Sequence, residues 1–147
     1  MKKILLGSLV AGLFLLACSS AAVAQRADKA NAIKQKFEGV WQVSMQKWTK
    51  NGSDKFVPPR ARDFKIYDAD GSFRHIIFSN DKYVELSKGK MVVTSDSTYT
   101  EQLEKHLGIK EGKGTGNVTF RFLDADTFLM KWTLNGGSGE EIYERVK

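Results

Sequence analysis

Apolar and polar residues begin to alternate near residue 37, and from there the pattern predicts short β-strands. Valine, isoleucine, threonine and aromatic residues accumulate in runs in which successive side chains change face, as in strands with one buried side. In the first run, Trp41, Val43 and Met45 fall on one face. The predicted strands span residues 40–48, 63–67, 72–78, 83–86, 91–95, 98–103, 117–123, 128–134 and 140–147.

Turn-forming residues separate several of these runs and favour hairpins. Asp68-Ala69-Asp70-Gly71 and Asp124-Ala125-Asp126-Thr127 each lie between two alternating runs, where aspartate and glycine suit tight turns. The glycine-rich residues 135–139 predict a third turn before the last strand. Consecutive strands joined by such turns pair antiparallel.

Two segments predict loops, and one segment has two interpretations. Adjacent prolines place a loop at residues 49–61, because proline cannot donate to the ladder of a central strand. Four glycines predict a second loop at residues 108–116. Thr98 and Glu101 have the spacing of a helix-capping box, but we interpret residues 98–103 as a strand followed by a turn or a short helical piece.

These elements predict an all-β fold, an antiparallel up-and-down β-barrel of eight or nine strands formed by residues 37–147. No predicted helix is long enough to connect parallel strands, and closure of a meander of this size removes its exposed edges. A barrel of eight strands encloses either its own side chains or one small ligand. The polar, alanine-rich residues 25–36 are interpreted as a linker or a short helical lead-in.

The first 24 residues have the pattern of a secretory signal peptide, which predicts an exported, periplasmic or secreted protein. A basic start, Met1-Lys2-Lys3, precedes an apolar run, and Ala22-Val23-Ala24 supplies small residues for cleavage before Gln25. The alternative is a lipoprotein, in which Leu15-Leu16-Ala17-Cys18 is a lipobox and Cys18 is acylated. Contact with a membrane is expected only in that case. We favour the soluble product.

Cleavage after Ala24 would leave 123 of the 147 residues and remove two lysines, so the charge falls from +6 to +4 (21 basic against 17 acidic residues). The basic residues are scattered among acids, which argues against nucleic-acid binding. Cys18 is the single cysteine of the chain, so the domain forms no internal disulfide. A packed core must therefore stabilise it.

Phe37-Glu38-Gly39-Val40-Trp41 resembles the opening of lipocalins and fatty-acid-binding proteins, in which the tryptophan plugs one barrel end and an arginine of the last strand packs over it. Arg145 stands at the matching place in Ile142-Tyr143-Glu144-Arg145-Val146. Together with Ser95-Asp96-Ser97-Thr98-Tyr99-Thr100-Glu101, these stretches also resemble the lipocalin-like (calycin) domains of unknown function of exported Bacteroidetes proteins. That resemblance implies a fold and an exported location more than an activity.

Candidate site residues follow from the faces of the predicted strands. Tyr99 and Glu101 share a face, as do Tyr143 and Arg145; if these faces point inward, they form a polar anchor able to bind a carboxylate. The alternative places the polar side chains in solvent while aromatic residues fill the barrel, and we favour it for Arg121 and Lys131. The predicted ligand-binding residues are Trp41, Tyr99, Glu101, Trp132, Tyr143 and Arg145.

We therefore expect an exported protein that holds a small apolar or amphipathic molecule in its barrel. The alternative is a cell-envelope interaction or inhibitor module that acts through its surface. We expect neither an enzyme nor a cofactor, because nucleophile and phosphate-loop motifs are missing. His75 and His106 have no second ligand at metal-binding spacing, so no metal site is expected. The oligomeric state is left open.

The two interpretations of the leader predict different masses for the exported protein. We expect the protein recovered from a secreting bacterial host to have the mass of a chain that begins at Gln25. Intact-mass spectrometry of the soluble and membrane fractions measures it. A membrane-bound species that begins at an acylated Cys18 would contradict this expectation and establish the lipoprotein.

Overall fold

A computed structural model describes residues 23–48, 55–109 and 113–147. Helix α1 covers residues 23–37. The strands are β1 (Gly39–Trp48), β2 (Arg62–Tyr67), β3 (Ser72–Ser79), β4 (Lys82–Val93), β5 (Thr98–His106), β6 (Gly114–Phe122), β7 (Thr127–Leu134) and β8 (Gly137–Arg145). Most of the predicted signal peptide, residues 1–22, lies outside the described residues. No helix in the described part of the chain has both the length and the apolar character needed to cross a membrane.

The eight strands form a closed antiparallel barrel in which each strand pairs with its neighbours in sequence and β8 pairs back onto β1. The predicted barrel and its helical lead-in are confirmed. The hairpin turns after β2 and β6 are also confirmed, and in the first the Gly71 amide donates to the Asp68 carbonyl at 2.9 Å.

The upper strand count of nine is wrong, because residues 83–86 and 91–95 belong largely to one strand, β4. The pairing register between β4 and β5 shifts between Lys88 and Gly89. A bulge of this kind bends a strand without ending it. The alternating pattern is interrupted at this bulge, so the sequence predicts two strands where the structure has one bent strand.

Other boundaries differ by a few residues. The glycine-rich segment predicted as a loop enters β6 at Gly114, and β8 begins at Gly137 rather than at residue 140. The strand interpretation of residues 98–103 is confirmed, and β5 continues to His106. Within the predicted loop 49–61, residues 49–54 lie outside the described residues, while Val57 forms an isolated bridge with Gln46.

A bulge in β1 overturns the prediction that Trp41, Val43 and Met45 share one face. Val43 pairs with Tyr143, but Met45 pairs with Ile142, so the register shifts at Ser44. Ile142 is adjacent to the inward-facing Tyr143 and therefore points outward. Met45 lies opposite Ile142 and also points outward. The same shift turns Trp48 toward the cavity side of the barrel, where it lines the cavity while 43 % of the residue stays exposed.

The apolar core fills the barrel end at which β1 begins and β8 ends. Phe37, the last residue of α1, has no exposed surface. Its ring contacts five others at centroid distances of 4.9–5.5 Å, namely Tyr67, Tyr99, Phe120, Phe122 and Phe128. Aromatic rings at such separations attract each other beyond the effect of area burial. Helix α1 therefore closes this end of the barrel, which we call the closed end.

Arg145 and Trp41 satisfy the carbonyl groups where α1 ends. The two terminal nitrogens of Arg145 donate to the carbonyl oxygens of Glu38 and Lys36 at 2.6 and 2.9 Å, and the Trp41 indole donates to Phe37 at 2.6 Å. The last carbonyls of a helix lack partners within the helix. The Arg145 guanidinium also lies 4.1 Å from the centre of the Trp41 ring. The packing that the lipocalin resemblance implied for these two residues is present.

We expect Phe37→Ala to destabilise the protein by about 3–5 kcal/mol, because it leaves a cavity among the surrounding rings. Urea denaturation followed by circular dichroism measures the change. Val146→Ala is the matched control, because this side chain at the same barrel end is 45 % exposed. A loss for Phe37→Ala as small as that of the control would show that α1 does not stabilise the barrel.

Candidate functional site

A cavity of about 370 Å³ occupies the barrel end opposite α1, which we call the open end. The turn after β7, at Asn135, and the end of β5, at His106, lie at its mouth. Its apolar wall includes Ile77, Leu86, Val118, Met130 and Trp132, and its polar floor includes Asp63, Lys65, His75, Ser87, Glu101 and Glu141. The site therefore combines a largely apolar wall with an ionisable floor.

Lys65 and Glu101 form an ion pair at the floor, across the barrel from β2 to β5. The two side chains are 4 % and 11 % exposed. Burial alone would lower the pKa of Lys65, but the adjacent Glu101 carboxylate outweighs it and the pKa is raised. Lys65 is therefore a fixed cation that already has its counter-ion.

Two tyrosines continue this pair toward the closed end. The hydroxyl of Tyr99 lies 2.8 Å from that of Tyr67 and 3.3 Å from the nearer Glu101 oxygen. Burial raises the pKa of both tyrosines, so they stay neutral at physiological pH. Such a satisfied polar chain avoids the large cost of burying unpaired polar groups.

Glu141, on β8, is the second buried carboxylate of the floor. It accepts a hydrogen bond from the Trp132 indole at 3.0 Å and another from the Tyr143 hydroxyl at 2.7 Å. Both donors are neutral, and among the described residues no ion pair reaches Glu141. Burial raises its pKa and outweighs the opposing attraction of His75 and Lys65, because a charged carboxylate is disfavoured in a medium of low polarity.

Asp63 and His75 form another polar pair of the floor. The ring nitrogen Nε2 of His75 lies 2.6 Å from the Asp63 carboxylate, so this histidine has a hydrogen-bond partner. Burial lowers the pKa of His106, at the mouth, and keeps it neutral at pH 7. No group of three or more histidine, cysteine, aspartate or glutamate side chains within the described ranges is arranged to hold a metal ion.

Two tryptophans form an aromatic wall near the mouth. The rings of Trp48 and Trp132 meet edge to face, with centroids 5.6 Å apart. The Trp132 ring lies against Gly139 of the paired strand, where a Cβ atom would come within 2.8 Å of it. Any side chain at that position would displace the ring. The bulge in β1 and the glycine in β8 therefore both position this wall.

The structure separates the six predicted site residues into three groups. Glu101 and Trp132 line the cavity. Tyr99 and Tyr143 point inward, below the floor, and support Glu101 and Glu141. Trp41 and Arg145 lie at the closed end, so the structure does not bring them to the cavity. The predicted anchor that includes Arg145 is therefore not assembled, because this side chain binds the end of α1 instead.

Lys65 and Glu141 are interior residues that the sequence pattern did not identify. Phe64 and Ile66, which flank Lys65, suggest the opposite orientation for β2, but they face outward. Alternation from the buried Tyr67 would have placed Lys65 inside. The same rule, applied from Tyr143, places Glu141 inside. The outer-facing positions Arg121 and Lys131 are exposed, as favoured.

Comparison with known proteins identifies the family. Residues 36–147 match the family described as "Domain of unknown function (DUF4488)", and the chain belongs to that family. No curated protein sequence matches the chain. A solved structure of a redesigned β-barrel is similar, with a TM-score of 0.50 and 13 % identity over 78 % of this chain and 95 % of that one. The likeness concerns the fold alone.

The buried Glu141 gives the stability a definite pH dependence. In the unfolded chain this carboxyl titrates near its ordinary pKa of 4.5, and in the folded protein at a higher value. The folded state therefore binds more protons between the two pKa values, and the free energy of unfolding falls as the pH rises through that window. We expect Glu141→Gln to gain stability relative to the wild type as the pH increases.

Urea denaturation at a series of pH values from below 4.5 to 8 measures this difference. Subtracting the wild-type curve removes the contribution of ionisable groups that lie far from residue 141. Glu144→Gln is the matched control, because it removes the same charge from the exposed face of the same strand. Parallel curves for Glu141→Gln and the wild type would contradict the assignment.

Proposed function

We propose that this barrel is a binding protein that holds a small amphipathic molecule in the cavity at its open end. The observation that supports it is the cavity itself, about 370 Å³ in a barrel whose other end is filled by aromatic rings. Sites for small ligands have volumes of about 300–1,000 Å³, with mostly apolar walls and a few polar groups. The cavity volume lies near the lower end of this range, which favours a ligand of small volume.

The distribution of polar groups supports a ligand that is amphipathic rather than wholly apolar. A ligand that enters from the mouth passes Trp48 and Trp132 and reaches Glu101 and Glu141 on the floor. A purely apolar ligand would remove these carboxylates from water without replacing the lost hydrogen bonds. A polar head group at the floor avoids that cost.

The proposal also includes binding without catalysis and an exported location. The exported location rests on the leader pattern of residues 1–24. A lipocalin-like relationship agrees with Phe37, Trp41 and Arg145 at the closed end, and it is part of the proposal.

Filling the cavity tests the function. Gly116 of β6 lines the cavity, and a Cβ atom there would meet Glu101 and Thr133 at 3.7–3.8 Å, which is ordinary contact. We expect the wild type to bind Nile red, a neutral dye whose aromatic rings carry a polar carbonyl group, with increased dye emission. We expect Gly116→Leu to weaken that binding at least about tenfold, because its side chain occupies the ligand volume.

Thr115→Leu is the matched control, since it adds the same side chain on the exposed face of the same strand. Circular dichroism establishes that both variants are folded. Failure of the wild type to bind the dye, or equal binding by Gly116→Leu and the wild type, would overturn the proposal.

A further inference from the structure

The cavity carries more negative than positive groups. Three carboxylates line it, those of Asp63, Glu101 and Glu141, against one amino cation, Lys65, among the described lining residues. Their formal sum is −2, and it becomes −1 when His75 is protonated. An anionic ligand would therefore enter a cavity that already has an excess of negative charge.

The carboxylates differ in how they are neutralised. Glu101 pairs with the cationic Lys65, and Asp63 pairs with His75, which carries a charge only when protonated. Glu141 has the Trp132 indole and the Tyr143 hydroxyl, which orient the carboxylate through both oxygens but bring no charge. A buried carboxylate of this kind is stabilised by any cation placed against it. Glu141 is therefore the one lining carboxylate whose described hydrogen-bond partners, an indole and a phenol, cannot carry a positive charge.

The aromatic wall beside Glu141 also suits a ligand with a positive charge. The Trp132 ring both donates to Glu141 and lines the cavity, and Trp48 lies edge-on to it. Faces of tryptophan rings attract cations, and more so when water is excluded. A positively charged group next to Glu141 would thus meet a carboxylate and an indole together.

We propose that the cavity takes a cationic amphipathic molecule, with an ammonium or guanidinium group against Glu141 and an apolar part along Val118, Met130 and Trp132. This inference rests on the proposed function and specifies its ligand class. The opposite class, a carboxylate ligand, would have to take Lys65 from Glu101. It would then leave Glu101 buried without a counter-ion, which is strongly unfavourable.

Three probes with the same eight-carbon chain test the charge preference. Octylammonium, 1-octanol and octanoate are titrated at pH 7 against the wild type loaded with Nile red. We expect octylammonium to displace the dye at about tenfold lower concentration than octanol, because only the ammonium brings a positive charge to the Glu141 carboxylate. We expect octanoate to be the weakest competitor.

Glu141→Gln identifies the residue responsible. The amide preserves shape but removes the charge, so we expect octylammonium to lose its tenfold advantage over octanol. Glu144→Gln, on the exposed face of β8, is the matched control and should preserve the advantage. The comparison among the probes needs only the wild type, so it remains decisive if Glu141→Gln does not fold.

The outcomes separate the two proposals. If all three probes displace the dye equally, or octanoate does so best, the cavity binds ligands and the cationic preference is wrong. If Glu141→Gln keeps the preference for octylammonium, Glu141 is not the residue responsible and the proposed position of the cation is wrong. If neither dye nor probe binds the wild type, the proposed function fails, and the inference fails with it.

Discussion

The burial of Phe37 among five aromatic rings is the constraint on which the rest of the structure depends. It fixes α1 across one end of the barrel and fills that end with side chains. Trp41 and Arg145 hold the same junction by binding the last carbonyls of the helix. Because the apolar core is concentrated there, the free volume and the ionisable side chains lie together at the other end.

The barrel interior changes character along its axis, from a layer of rings to a layer of charges. Tyr67, Tyr99 and Tyr143 form the boundary, with ring carbons in the apolar layer and hydroxyls directed at Glu101 and Glu141 or at one another. Tyrosine suits such a boundary because one end of its side chain is apolar and the other is polar. Glu141 is buried with only neutral hydrogen-bond donors, which costs stability; the proposed binding function is a physical reason to retain it.

The sequence predicts the closed end far better than the cavity. Trp41 and Arg145 stand in a recognisable pattern, and alternation correctly turns Tyr99, Glu101 and Tyr143 inward. It does not single out Lys65, because the apolar Phe64 and Ile66 on the outer face of β2 suggest the opposite orientation. It fails beyond Ser44, where a bulge reverses the faces of β1 and brings Trp48 to the cavity. Bulges depend on pairing between strands, so no local pattern in the sequence reveals them.

The pairing of β1 with β8 also has a consequence for how the molecule folds. Every other ladder joins strands adjacent in the chain, whereas Arg145 reaches the Glu38 carbonyl across 107 residues. During synthesis, β1 therefore keeps one unpaired edge until β8 is made, while the hairpins between these strands form. Such an edge promotes pairing with other chains. The last strand completes both the barrel and, through Glu141, its floor, so partly made chains expose an aggregation-prone sheet and hold no finished cavity.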